Sequence, residues 1–453
     1  MDSKKIILGD TQRNYTKEFN MRGKIIIIGV LVLLLLGICA ASVFAVFTGL
    51  QMVNISDVQI GANNVSAKAT EEKLLQVDGA VSLDVQNDFG SILVSSSADG
   101  QVRVTAEKTA WGNNQQEAEA ALKDVEVVVE QAGNTVRISV KRPNGNAVVI
   151  GKYQPASVNF VIETPIQTRT TLNSNNGNVT VEGLTGSADI SSAFGQLEIR
   201  NLTGALQAST NNGAILADAI SSSDGILLES DFGSIELTNS DADEVTVRTS
   251  NGSVTLRDVV SRGKLNADSE FGDIRIKGGE AQTLAVESSN GALELEDLNV
   301  QTSLKAKSLM GAISLTGVSA MAYDLQTENG KVSLDEAQGS IKARSAFGDV
   351  EVTNADLAVL DISSDNGTLT FSGSLADADQ TLESSMGNIS LTIQPDASLD
   401  LDLETSMGKI SSNFAVTLNG EIDSSHWVGS INGGGGKLSV TTQNGNITLN
   451  KSK

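Results

Sequence analysis

From Ser174 to Leu449 the chain alternates apolar and polar residues in short bursts, and each burst meets a glycine. Around Gly272, Leu265, Ala267 and Ser269 come before it at every second position, and Ile274 and Ile276 follow it in the same way. Period-two alternation places successive side chains on opposite faces, so each half is a short strand with one buried face. The same phrase (Ser or Thr, two residues, Gly, one residue, aliphatic, one residue, aliphatic) recurs at Gly177, Gly195, Gly213, Gly233, Gly252, Gly272, Gly291, Gly311, Gly330, Gly348, Gly367, Gly387, Gly408, Gly429 and Gly445. Neighbouring glycines lie 16 to 21 residues apart. Strand–turn–strand units repeated at about 20 residues predict an all-β solenoid, here over residues 171–453. Pro395 is the one proline between Ser174 and Leu449, as ladders that need every N–H require.

Two positions qualify this picture. Three residues before the glycine stands Ser or Thr, from Ser174 and Ser192 through Thr405 and Thr442, with His426 the exception. Parity places this hydroxyl on the inner face beside a turn, where it can satisfy backbone groups. Immediately before the glycine, Asn176, Asn212, Asn251, Asn290, Asn329 and Asn366 alternate with Phe194, Phe232, Phe271, Met310, Phe347 and Met386. Asn-Gly suits a left-handed turn, and Phe or Met suggests a corner filled from within. Two coil lengths fit: a two-strand coil of about 19 residues, or a four-strand coil of about 38. Stacked strands gain when like residues lie above like, which favours the longer coil.

Ahead of the repeats, the pattern changes twice. Residues 25–50 carry no charge, which is long enough for the about 20 residues that span a bilayer. Residues 1–24 hold Lys4, Lys5, Arg13, Lys17, Arg22 and Lys24 against Asp2, Asp10 and Glu18. The positive-inside rule then predicts a signal-anchor with a cytoplasmic N-terminal tail and the bulk of the chain outside. A signal peptide cleaved after Ala45 is the competing reading, and the apolar length favours the anchor. Residues 51–73 read as a polar linker. Residues 74–170 read as a β-rich cap with one helix, Asn113–Val125, capped by Asn114, and a hairpin around Gly133-Asn134. Residues 430–453, with Gly433–Gly436, are expected to close the far end.

Net charge is −23 over 453 residues, and the basic tail makes the rest more acidic still. Such a surface repels nucleic acid and keeps copies of the chain apart. Cys39 is the single cysteine and lies inside the apolar segment, so no disulfide or thiolate metal site forms within one chain. His426, the single histidine, leaves little room for a Ser-His-Asp triad and reads as structural. No phosphate loop or dinucleotide fingerprint appears, and no cofactor is implied. Asp231, Glu270, Asp273 and Asp349 beside the Phe-Gly turns could line one flank, but their irregular spacing favours a solvated acidic face over calcium sites. Arg257, Arg262, Lys264 and Arg275 are the densest basic group beyond the tail and would be the place for a polysaccharide lyase or hydrolase to act. Asn-x-Ser/Thr triplets such as Asn178-Val179-Thr180 follow from the repeat itself.

Several motifs occur in a telling order: Asn87-Asp88-Phe89-Gly90-Ser91-Ile92, the helix and hairpin, Phe160-Val161-Ile162-Glu163-Thr164-Pro165, the first repeat, and the Gly-rich run before Thr442-Gln443-Asn444-Gly445-Asn446-Ile447. Over about residues 75–450 this order resembles a bacterial domain-of-unknown-function family of β-strand-repeat putative adhesins, with relatives among cell-envelope stress proteins of the Lia type. The resemblance implies an envelope location and a β-repeat fold, and it brings no catalytic residue. The expected function is a membrane-anchored, non-catalytic adhesin-like scaffold whose partner is a cell-wall glycan or an envelope protein. A β-helix polysaccharide enzyme and an envelope-stress sensor are the alternatives.

Overall fold

A computed structural model describes residues 65–142, 155–419 and 424–453. All of these lie in one compact unit, residues 63–453. The tail at 1–24 and the expected anchor at 25–50 lie outside the described residues. Among those described, no helix is long and apolar enough to cross a membrane.

The protein is an all-β solenoid with one short helix. Each repeat contributes a leading strand before the key glycine and a trailing strand after it. Leading strands pair in parallel with leading strands: Ala188–Phe194 lies between Thr168–Asn176 and Leu206–Thr210, so Ser174, Ser192 and Thr210 stand in register. Trailing strands do the same, with Val179, Leu197 and Ile215 aligned. One repeat of about 19 residues is therefore one turn, and the four-strand coil of about 38 residues does not form.

The inside of the corner explains why. Ser269 donates its hydroxyl to the Gly252 carbonyl of the preceding turn at 2.9 Å and accepts the Gly272 N–H of its own turn at 2.9 Å. Ser230, Thr249, Ser288 and Ser308 make the same pair of bonds. A Cβ on Gly272 would fall deep inside contact distance of the Gly252 carbonyl oxygen, and the other stacked key glycines are as tightly placed. Glycine and hydroxyl thus join every repeat to the next one, and this fixes the stacking whatever the outer residues are.

Two inner rows were legible in the sequence: Leu265/Ala267 and their equivalents on the leading strands, and Ile274/Ile276 and theirs on the trailing strands, all buried. A third row follows a second corner. There Asn201, Ala219, Asn239, Asp258, Asp297, Glu336 and Asn354 hold positive φ. The next residue turns inward, as Leu202, Ile220, Val259 and Leu298 do.

Both ends depart from the repeat. At the start, Val81–Phe89 and Ile92–Ser97 form the first layer against Thr168–Asn176 and Val179–Glu182. Thr135–Lys141 and Ser157–Pro165 lie on its other side, and antiparallel strands Glu126–Ala132, Gln101–Gly112 and Val65–Gln76 complete the cap. The helix is Gln115–Lys123, and Asn114 Oδ1 accepts the Glu117 N–H at 2.9 Å. Residues 65–73 of the expected linker belong to the strand Val65–Gln76. It is the outermost antiparallel strand and buries little beyond Ala67, so its composition reads as polar.

At the far end, chain order and spatial order separate. Gly436–Asn444 inserts between Gln380–Met386 and Leu399–Met407, parallel to both. Ile447–Lys451 inserts likewise between Ile389–Ile393 and Ile410–Ser412. The segment expected to close the end is therefore the layer before the last. Closure falls to His426–Ile431, which runs antiparallel to Leu399–Met407 and to Val416–Leu418. His426 and Gly429 thus stand outside the repeat stack, Gly90 is added at its head, and Gly445 lies between Gly387 and Gly408.

Candidate functional site

The residue before each key glycine points outward, because the hydroxyl row and the glycines fill the inside of the corner. Phe232, Phe271 and Phe347 are 64%, 60% and 62% exposed, and Phe194, Met310, Met386 and Met407 are exposed too. This corrects the expectation of a corner filled from within. Along the stack the order is Phe89, Asn176, Phe194, Asn212, Phe232, Asn251, Phe271, Asn290, Met310, Asn329, Phe347, Asn366, Met386, Asn444, Met407. Alternation is unbroken over the whole corner. It holds at Met386–Asn444–Met407 only because the inserted strand supplies Asn444 out of chain order.

The amides lie against the layer beneath. Asn251 Nδ2 donates to the Asp231 carbonyl at 3.2 Å, Asn290 Nδ2 to the Glu270 carbonyl at 3.3 Å, and Asn329 Nδ2 meets Met310 Sδ at 3.3 Å. Large apolar side chains therefore project between low, anchored amides. At the first rung Arg142 lies 5.5 Å over the Phe89 ring and pairs with Asp88 at 3.3 Å, and burial holds its guanidinium below the usual range.

Beside this corner, a groove of about 700 Å³ runs along the outer side of the leading strands. Glu229, Arg248, Asp268, Glu287 and Lys307 lie in register along it. Asp231, Ser250, Glu270 and Ser289 form its rim, each one residue before a rung of the corner. Arg248 sits 3.5 Å from Glu229 and 3.2 Å from Asp268. Burial pushes the Asp268 carboxyl above the ordinary carboxylate range, against the pull of Arg248.

The four carboxylates singled out by sequence do not form one set. Asp231 and Glu270 lie on the groove rim two layers apart. Asp273 and Asp349 lie beyond the glycine, where each Oδ1 accepts a next-layer amide: Ala292 N–H at 3.0 Å and Thr368 N–H at 2.8 Å. Among the described residues no group of three or more His, Cys, Asp or Glu is placed to hold a metal ion. The basic group is divided, and its three arginines are partnered. Arg257 pairs with Glu236 at 2.6 Å, Arg262 with Asp241 and Asp243, and Arg275 with Asp273 at 3.0 Å and Glu294 at 2.8 Å. Lys264 stands on a leading strand opposite Thr283. His426 lies 3.2 Å from Asp402, which Lys437 also meets at 2.9 Å, so these three clasp the terminal strands. Gly433 and Gly434 take positive φ just before Gly436–Asn444.

A family model described as Toastrack DUF4097 matches residues 221–308 and 264–450, together just over half of the chain. The chain belongs to the Toastrack DUF4097 family. The matched Toastrack region includes the corner from Phe232 to Met407 and the inserted strand. Comparison with solved structures matches this Toastrack chain to the following three, among others. One is a putative cell adhesion protein from Clostridium sporogenes: 9% identity, TM-score 0.16, covering 85% of this chain and 100% of that one. A putative adhesin from Bacteroides fragilis has 14% identity and a TM-score of 0.21, covering 85% and 98%. A putative adhesin from Parabacteroides distasonis has 12% identity and a TM-score of 0.20, covering 72% and 97%. Comparison with curated proteins gives no match.

Proposed function

We propose that this Toastrack protein is a non-catalytic, adhesin-like scaffold, held at the bacterial envelope by the apolar segment 25–50, with the solenoid outside the membrane. One observation carries the reading. A rigid stack presents exposed Phe and Met side chains at every second layer of one corner, with a groove beside Phe232 and Phe271, and exposed apolar rows of this kind mark interaction surfaces. Family membership supports the same reading. Of the basic residues that a polysaccharide enzyme would use, the three arginines Arg257, Arg262 and Arg275 are instead paired with carboxylates of their own or adjacent layers.

The test is retention. Immobilised protein is incubated with solubilised envelope fractions, and both bound material and released fragments are measured. Retained polymer or protein without fragments is the expected result. Soluble oligosaccharide released over time would overturn the non-catalytic reading, and no retention at all would overturn the scaffold. The anchor is tested separately by membrane fractionation of cells carrying the chain with and without residues 25–50; release of the shortened chain from the membrane fraction is expected.

A further inference from the structure

The alternation at the corner belongs to the surface rather than to the repeat's history. Tandem duplication of a two-turn unit would give Phe–Asn alternation along the chain, but it would not place Asn444 between Met386 and Met407. That position arises from a strand inserted out of order. The core does not need the alternation either, since both residue types point outward and the glycine–hydroxyl bonds of the Asn251 turn are the same as those of the Phe271 turn. What alternation does give is a spatial period. Layers stack about 4.8 Å apart, so apolar rungs recur every about 9.6 Å.

We propose that this corner, with the groove beside it, binds an extended polysaccharide that is uncharged or amine-bearing, one disaccharide for each pair of layers. The proposal rests on the scaffold reading above and names its ligand class. The rung period is close to the length of an extended, diequatorially linked disaccharide. The apolar face of a sugar ring carries axial C–H groups, and these suit the electron-rich face of Phe232, Phe271 or Phe347. Between rungs, an amide such as Asn251 keeps donor and acceptor capacity for ring substituents. The rim carboxylates Asp231 and Glu270 then select for charge: they repel uronate or phosphate polymers and a second copy of this acidic chain, and they favour neutral or amino sugars. A rigid repeat binds a repeating polymer through many weak rungs at once, so affinity rises with polymer length.

The experiment uses the N-acetylglucosamine hexamer as probe, with the trimer and a uronate hexamer alongside, in calorimetric titration of the purified protein. The hexamer is expected to bind at least tenfold tighter than the trimer, and the uronate hexamer at least tenfold more weakly. The triple variant Phe232→Ala, Phe271→Ala, Phe347→Ala removes exposed rings, so its thermal unfolding should match the parent while hexamer affinity falls at least tenfold. Equal binding by a folded triple variant would overturn the proposal, as would equal binding of the uronate or no binding of the hexamer. A parent protein that self-associates in sedimentation, with the triple variant monomeric and the hexamer unbound, would overturn it in favour of a contact between copies. If envelope material is still retained by the triple variant, the scaffold reading survives and only the ligand assignment fails.

Discussion

Ser269 serves two layers at once, since its oxygen accepts from Gly272 N–H and donates to the Gly252 carbonyl, each at 2.9 Å. Ser192 holds the same slot, but its oxygen is 3.5 Å from Gly177 O. Ser269→Ala leaves two buried backbone groups without their partner, and each unsatisfied group costs about 1–3 kcal/mol. Ser192→Ala should cost clearly less. Urea unfolding midpoints for the two variants, at unchanged slope, check the ranking. The second corner offers the opposite change. Glu336 holds φ at 64°, a conformation that costs a residue with a Cβ about 1–2 kcal/mol. Glu336→Gly is expected to raise the melting temperature, with a net gain of about 0.5–1 kcal/mol after the added freedom of the unfolded chain is subtracted. The inner hydroxyl row was legible because the slot is Ser or Thr almost without exception. The left-handed corner was not, because Ala219 and Glu336 sit among the Asn, Asp and Gly that would have announced it.

Each turn touches only its neighbours, so turns behave as modules. Excising residues 253–291 joins Gly252 to Ala292 and removes two turns together, which keeps Asn251 next to Met310 on the outer corner. That shortened chain should fold, with β-sheet circular dichroism, one cooperative transition and a lower melting temperature. Excising residues 273–291 instead, the single turn that carries Asn290 between Phe271 and Met310, should fold as well, since the glycines still stack. It would place two apolar rungs in contact and break the period that the polysaccharide proposal requires, so hexamer titration of both deletions separates folding from recognition. Most element types among the described residues were readable: strands from period two, the helix from its Asn114 cap, and the hairpin from Gly133-Asn134. Coil length was misread because outer residues were taken to govern stacking, whereas contacts inside the corner do. The strand Val65–Gln76 was missed because an outer strand needs no apolar face.

At the scale of the whole molecule, one acidic solenoid ends in strands that run against the rest. Antiparallel cover leaves edges such as a polar strand, Val65–Gln76, and a three-residue strand, Val416–Leu418, which offer less to other chains than the open face of a parallel stack would. At the far end, the Lys437 ammonium first, and His426 beside it, hold the Asp402 carboxyl below the ordinary carboxylate range. A carboxyl whose folded value is depressed contributes stability above its unfolded value, near 4, and loses it as pH falls through the folded one. Acid should therefore loosen the terminal strands, and Asp402→Asn should flatten this response. Trp427 fluorescence in a Trp111→Phe background reads it directly, since Trp427 lies opposite Leu403 on the closing strand.

The inserted strand has a consequence for how the chain is made. Synthesis delivers the layers in spatial order up to Gln380–Met386 and then delivers Leu399–Met407 before the layer that must lie between them. Until Gly436–Lys451 leaves the ribosome, the facing edges of these two strands have only each other, and direct pairing would set Met386 against Met407. The arriving segment must then wedge between strands that are already present. A product lacking Gly436–Lys451 would keep the mismatched joint. Registration of the far end therefore waits on strands made after both of their neighbours.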